Sequence, residues 1–439
     1  MRPLQHLTFE AYLELLRAQF RQVPDERDPQ RISWQLPDVL LSGFAMFYFQ
    51  HPSMLQFQQS MEKQSGQSNL HRLFGVQNVP SDTQMRSLLD DPAAQEPLRR
   101  VLPLVFERMR QTGWTTRFVT RVNGVGYYTV VLDGSQYFGS ENIACPHCLQ
   151  RQDKNGDIHY YHNVVGATLV RAGSHDILPL DAEEVRNTDG AAKQDCEINA
   201  GKRLIQRLRQ EHRQLQMVIA GDDLYAHEPF ILDLRALRMS FVLVAKPESH
   251  KELYEWVEDL DRLGQCVKGT WEEGPLEKRR YFEYRSVAQV PLTQSDKVFV
   301  NFVEVWERDK AGQVIYHNAW VTVFEVTAEN VATVVGIGRS RWKIENEQFN
   351  VQKNHGYELE HNYGHGARGL SLVLYLLNLL AFLAHIVLEL GDRLYRACCA
   401  NESRRSLWNA LRVYFRKLAC TSWQALLEFH LSDEPLPDT

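Results

Sequence analysis

The stretch Gly336 to Gly366 reads GIGRSRWKIENEQFNVQKNHGYELEHNYGHG, and its centre governs how the rest of the chain is read. Arg341, Trp342, Lys343, Ile344, Glu345 and Asn346 form a helical run, an acid among basic and aromatic residues, with a polar, His- and Gly-rich exit. On an α-helix of about 3.6 residues per turn, Arg341 and Glu345 lie one turn apart on one face. A carboxylate beside a guanidinium stays ionised and is open to a divalent cation rather than a proton. The plainer reading is an exposed ion pair worth about 0.3–0.5 kcal/mol. Two acids upstream favour the first.

Those acids are Asp133 and Asp222. Tyr127-Tyr-Thr-Val-Val-Leu-Asp133-Gly is an apolar, β-branched run that stops on an acid and a glycine, and Gln216-Met-Val-Ile-Ala-Gly-Asp222-Asp-Leu-Tyr225 has the same design. Short continuous apolar runs closed by turn residues read as buried strands of a central sheet. In open α/β sheets, chemistry gathers beyond the carboxyl ends of the strands. Two strands delivering Asp there and a helix delivering Glu would give a three-carboxylate set. Hard oxygen ligands suit Mg²⁺ or Mn²⁺ rather than zinc. Two such ions about 4 Å apart can activate an attacking oxygen and stabilise a leaving one in phosphoryl transfer.

With VLDGS at Asp133, VIAGDDLY at Asp222 and RWKIENEQF at Glu345, the chain resembles bacterial insertion-sequence transposases of the DDE type. These have an RNase H-like core, a first Asp on the opening strand, a second after a later strand, and a Glu on an R-W-x-I-E helix beyond an inserted β domain. The resemblance runs from about Tyr127 to Leu390. It implies a DNA transposase that cuts and joins strands with Asp133, Asp222 and Glu345 as catalytic residues and ligands of two Mg²⁺ (or Mn²⁺) ions. Its partners would be double-stranded element ends and target DNA, bound as a homodimer or higher assembly. Arg341 would orient Glu345 or contact a phosphate. Lys353, His355 and His361 would touch DNA near the cut, and Trp342 would pack on the core in preference to DNA.

The chain departs from that pattern in places. In the best-known branch a Tyr lies seven residues before the Glu and a Lys seven after, whereas Gly338 and Gln352 stand there here and Lys353 follows one residue late. On a regular helix that turns Lys353 roughly 80° from the Glu345 face. An irregular helix, a different angle of contact, or a branch without the contact would each account for it. Asp223 and Glu347 are alternatives to Asp222 and Glu345, which are preferred for following the strand directly and for having Arg341 four residues before.

With 49 Lys+Arg against 55 Asp+Glu the chain is mildly acidic, so bulk charge gives no support to DNA binding. Local basic clusters could still supply it: one from Arg99 to Arg121, one from Arg203 to Arg213, Lys278 to Arg280, and Arg404 to Lys417. Seven cysteines, unevenly spread, do not form a secretory disulfide framework, and no signal-peptide pattern opens the chain. A cytoplasmic location, nucleoid-associated in action, is expected. Leu370 to Leu390 is apolar enough to mimic a membrane span, but it carries Asn378, His385 and Glu389 and stands alone. It is read as a buried core helix, with no membrane partner.

The expected fold is α/β, an RNase H-like mixed sheet flanked by helices. Residues 1–120 read as a helical region compatible with DNA binding, 121–246 as the first part of the core, and 247–335 as an inserted antiparallel β domain. Residues 336–395 would complete the core with the Glu helix, and 396–439 form a C-terminal helical region. Finally, Cys145-Pro-His-Cys148 is followed by His159 and His162, a candidate structural zinc set of Cys145, Cys148, His159 and His162. On a regular strand the two histidines face opposite ways. One of them, or Cys196, would then complete the site, and thiols without metal are the other reading.

Two rival functions share most of these residues. An RNase H-like nuclease that cuts without joining keeps the same carboxylates. A transposase-derived protein that binds DNA without catalysis would have no use for them.

Overall fold

The computed structural model describes residues 8–186, 195–295 and 297–432. Six helices come first: α1 (Phe9–Phe20), α2 (Leu36–Tyr48), α3 (Met54–Met61), α4 (Gln64–Asn69), α5 (Asp82–Leu89) and α6 (Gln95–Gln111). Ser81 caps α5 through its hydroxyl, as the sequence suggests. The chain then enters the sheet with β1 (Val119–Val122), β2 (Val125–Ser140), β3 (Leu149–Gln152), β4 (Ile158–Val170) and β5 (Ile177–Val185). Next come α7 (Glu197–Glu211), β6 (Met217–Gly221), α8 (Glu228–Ala236) and β7 (Ser240–Val244).

β5, β4, β2, β6 and β7 lie side by side in that order. β2 pairs antiparallel with β4, and β4 antiparallel with β5. β2 runs parallel to β6, and β6 parallel to β7. Counting these five strands by chain position gives 3-2-1-4-5 with the second reversed, the plan of an RNase H-like sheet. β2 does not stop at Asp133. It continues to Ser140 with a register shift near Gln136, because its far half is held by β4 alone once β6 has ended at Gly221.

The stretch after β7 forms α9 (Lys251–Arg262), β8 (Val267–Glu273), β9 (Arg280–Pro291), β10 (Phe299–Arg308) and β11 (Val314–Thr322). These strands are an antiparallel meander, and β11 pairs with β7, so they extend the central sheet instead of closing on themselves. α10 (Val331–Arg339) leads to a π-helical turn, Ile344–Phe349, that runs into α11 (Asn350–Asn354). The remainder is α12 (Leu370–Gly391), α13 (Arg393–Asn401), α14 (Arg404–Lys417) and α15 (Trp423–Leu431).

α12 is long and apolar enough to cross a membrane, yet its apolar window is wholly buried inside the protein. Helices from both ends of the chain cover it: Tyr12 of α1 donates to the Leu380 carbonyl, and Tyr48 of α2 packs on His385 and on Trp408 of α14. The N-terminal of α12 has no cap of its own. Asp90, after α5, accepts from the backbone N–H groups of Ala367, Arg368, Gly369 and Leu370. One carboxylate thus takes two of the donors that a helix start leaves without partners, those of Gly369 and Leu370, and two from the loop before it.

Candidate active site

Register places the first two acids together. On the parallel pair β2–β6, Val131 stands opposite Ala220. Asp133 and Asp222 are each two residues further on, and side chains two apart share a face. Asp222 follows the end of β6 and caps the turn Asp223–Tyr225, its Oδ1 accepting from Leu224 N at 3.0 Å. Asp133 Oδ1 accepts from Gly134 N at 3.1 Å, and its Oδ2 accepts from Arg341 Nη1 at 3.4 Å. Burial pushes the Asp133 carboxyl up to about 7, with Asp222 and Glu197 adding to the rise and Arg341 opposing it. Burial also raises Asp222, against its hydrogen bond from Leu224.

Glu345 shares a groove with Asp133, though not with Asp222. A groove of about 430 Å³ is lined by Asp133, Gln136, Arg341, Glu345, Asn350 and Lys353, among others. The expected Arg341–Glu345 ion pair is not made: Arg341 reaches Asp133 instead. Arg341 lies in a turn and Glu345 in π-helix, so the regular α spacing that would stack them is absent. The same π turn answers the late lysine. A single π turn adds one residue to a helix, with i→i+5 bonds in place of i→i+4. Lys353, eight residues after Glu345, is thereby returned to the glutamate's face and lines the same groove. Its ammonium is 2.9 Å from Glu360 Oε1.

The neighbouring acids point elsewhere. Asp223 accepts from Lys246 N and the Ser249 hydroxyl and lies 3.3 Å from His250 Nε2, bracing the turn after β7. Glu347 meets His175 Nδ1 at 3.1 Å in a different cavity, which His355 and Arg404 also line. His355 is therefore away from the carboxylate groove, and His361 packs edge-on to Tyr363 beside another small cavity. Trp342 is not in the core: it is 41% exposed, with Lys343 Nζ 4.7 Å from its ring centroid. It lines a further groove with Trp271, Phe282, Arg280 and Arg339. Its neighbour Ile344 takes the buried position on the helix.

A fourth carboxylate joins the site. Glu197, in the first turn of α7, accepts from the Tyr225 hydroxyl at 2.9 Å, and burial together with Asp222 raises its pKa. A side chain at position 134 would drive its carboxylate aside. An acid at a helix start normally reads as a partner of the helix dipole, so Glu197 gave no signal of its own. The usable hint was Gly134 inside a strand, which marks a close approach. Among the described residues, these carboxylates are not closed around one point: the only set of three or more metal-ligating groups within 4.8 Å is Cys145, Cys148, His162 and His365.

That set corrects the candidate zinc ligands. His159 points to the other face of β4, stacked on Tyr161, and Cys196 stands exposed at the start of α7. The fourth position belongs to His365, whose distance in the sequence hid it. The basic clusters are taken up inside the fold only in part, and Arg405, Arg416 and Lys417 stay exposed. Arg99, Arg203 and Arg207 bind Asp181, Glu183 and Asp195 between α6, β5 and α7, and Arg110, Arg117, Arg280 and Arg404 also pair with acids.

No family model and no curated protein matches the chain. Among solved structures, the chain is similar to a piggyBac transposase in a synaptic complex with hairpin DNA. Identity is 12%, with 99% of this chain and 83% of that chain covered at a TM-score of 0.40. A likeness of that degree adds nothing to the topology described above.

Proposed function

We propose that the chain is a DNA transposase of the DDE type, acting through Asp133, Asp222 and Glu345. The observation that carries this is the register that brings Asp133 and Asp222 together at the ends of adjacent parallel strands, with Asp133 and Glu345 lining one groove that Arg341 and Lys353 also line. The residues fit a divalent cation in kind. All are hard oxygen donors, and a carboxylate raised toward neutrality by burial and like charges is one that a cation would return to its anionic form. Asp133, Asp222 and Glu345 would hold Mg²⁺ or Mn²⁺, which when bound supplies activation of the attacking oxygen and charge stabilisation of the leaving one.

The chain's own residues do the rest. Arg341 holds Asp133 in place and offers remaining N–H groups to a phosphate. Lys353 stands on the Glu345 side of the groove to take a second phosphate contact, at the expense of its exposed pair with Glu360. Gln136 and Asn350 on the groove wall can hydrogen-bond the strand. Backbone contacts of this sort position DNA without reading its sequence. Element ends and target would be double-stranded DNA, bound by two or more copies of the chain in the cytoplasm.

The test uses a plasmid bearing the coding segment with its natural flanking DNA, incubated with purified protein and Mg²⁺ or Mn²⁺. Cleavage at the flanks and joining of the freed 3′ ends to a second plasmid are expected, and both should be lost in Asp133→Asn and Asp222→Asn. Nicking without joining would favour the nuclease reading. DNA binding with neither activity in the wild type would contradict the catalytic one.

A further inference from the structure

Cys145, Cys148, His162 and His365 bring four ligand atoms within 4.8 Å of one another, and we infer that they bind one structural zinc ion tying the exit of the Glu345 helix to the strand that carries Asp133. Zn–S bonds of about 2.3 Å and Zn–N bonds of about 2.0–2.1 Å at tetrahedral angles require S···S of about 3.8 Å and S···N of about 3.5–3.6 Å. The two sulfurs are 3.8 Å apart. His162 Nε2 is 3.5 Å from each sulfur, and His365 Nε2 is 3.4 Å from Cys148 Sγ. Four of the six edges thus match a zinc tetrahedron, and all four ligand atoms lie within 4.8 Å of one another.

The surroundings suit the ion as well. Cys148, His162 and His365 are buried and Cys145 is half-buried, which leaves no open coordination position of the kind a catalytic zinc needs. On the far side of the His162 ring, Nδ1 lies 3.0 Å from Glu184 Oε1, and that oxygen accepts from the Tyr137 hydroxyl at 2.7 Å. A carboxylate behind a ligating imidazole fixes its tautomer and strengthens it as a donor. Soft thiolates paired with imidazoles select zinc over the Mg²⁺ or Mn²⁺ of the carboxylate groove.

The four ligands come from three places. Cys145 and Cys148 occupy the loop after β2, His162 is on β4 opposite Phe138, and His365 is on the loop between α11 and α12. That last loop leaves the helix carrying Glu345 and Lys353. One ion would thus fix two parts of the catalytic groove that are far apart in sequence.

Full-length protein without an affinity tag, produced with added zinc, is expected to contain one zinc per chain by elemental analysis. The content should fall to background in Cys148→Ser, drop sharply in His365→Ala, and stay at one in His159→Ala. Cobalt(II) added to metal-stripped wild type should give the intense visible bands of a tetrahedral site with thiolate charge transfer, a signature that no all-oxygen site produces. Glu184→Gln should weaken zinc about 10- to 100-fold in competition with a chromophoric chelator. Should Cys148→Ser fold poorly, the cobalt spectrum of the wild type decides. Background zinc and no thiolate bands in folded wild type would overturn the inference, as would zinc lost from His159→Ala but kept by His365→Ala. None of these readings depends on DNA cleavage, so failure here is separable from failure of the transposase reading.

Discussion

At the scale of single residues, Asp133 and its neighbouring acids cost stability, through burial first and mutual repulsion second. Asp133 is held up at about 7 chiefly by burial, with Asp222 and Glu197 contributing. A carboxyl raised in the folded state contributes stability that is complete below its unfolded pKa and is lost as pH rises through the folded one. Asp133→Asn should therefore stabilise metal-free protein at pH 8 by about 4 kcal/mol, seen as a higher melting temperature, and the gain should shrink toward zero near pH 4. Melting curves against pH check this; a pH-independent difference would mean the carboxylate is not strained. Gly134→Ala tests the fourth acid. The nearest atoms to its Cβ belong to the movable end of Glu197, so stability should change by less than about 1 kcal/mol while Mn²⁺ affinity, read by calorimetry, changes in the direction that Glu197→Gln changes it.

At the scale of elements, the π turn and the start of α12 do the positioning. Sequence spacing alone leaves Lys353 off the Glu345 face, because a π turn has no side-chain signature and regular geometry is the only basis for projection. The two Asp-bearing strands were legible, since apolar runs closed by an acid and a glycine describe buried strand ends. That β2 runs on past Asp133 was not, because its second half is polar and is held by β4. For α12, Asp90 is the cap, and its four backbone hydrogen bonds outweigh burial to hold its carboxyl below the usual range. Asp90→Ala should cost about 1–2 kcal/mol at pH 7 by chemical denaturation. The sign follows from the lowered pKa: the cap's contribution is present above the unfolded value near 4 and fades as pH falls through the folded one. The difference between wild type and variant should shrink as pH falls, and a cost independent of pH would point to packing instead.

At the scale of the whole molecule, distant segments meet where local patterns cannot announce them. His365 joins cysteines more than two hundred residues earlier, and helices from both chain ends enclose α12. Spacing rules see neither. The arginine clusters show the reverse error: read locally they resemble tracks for phosphate, yet Arg99, Arg203 and Arg207 are taken by Asp181, Glu183 and Asp195 at the junction of α6, β5 and α7. Removing one partner of a buried pair leaves the others uncompensated. Arg207→Ala should cost about 3–5 kcal/mol in urea unfolding, whereas Arg110→Ala, at an exposed pair with Glu107, should cost less than about 1 kcal/mol. Equal costs would refute the distinction between structural and surface arginines. On the proposed reading, the cations nearest the carboxylates, Arg341 and Lys353, would contact DNA there, and Arg405, Arg416 and Lys417 remain exposed on α14.

The most direct test of the central claim is anomalous scattering from crystals grown at saturating Mn²⁺, comparing wild type with Asp222→Ala. Manganese between Asp133, Asp222 and Glu345 in the wild type, absent from the variant, is the predicted result. No manganese there in the wild type, or a peak that survives the loss of Asp222, would contradict it.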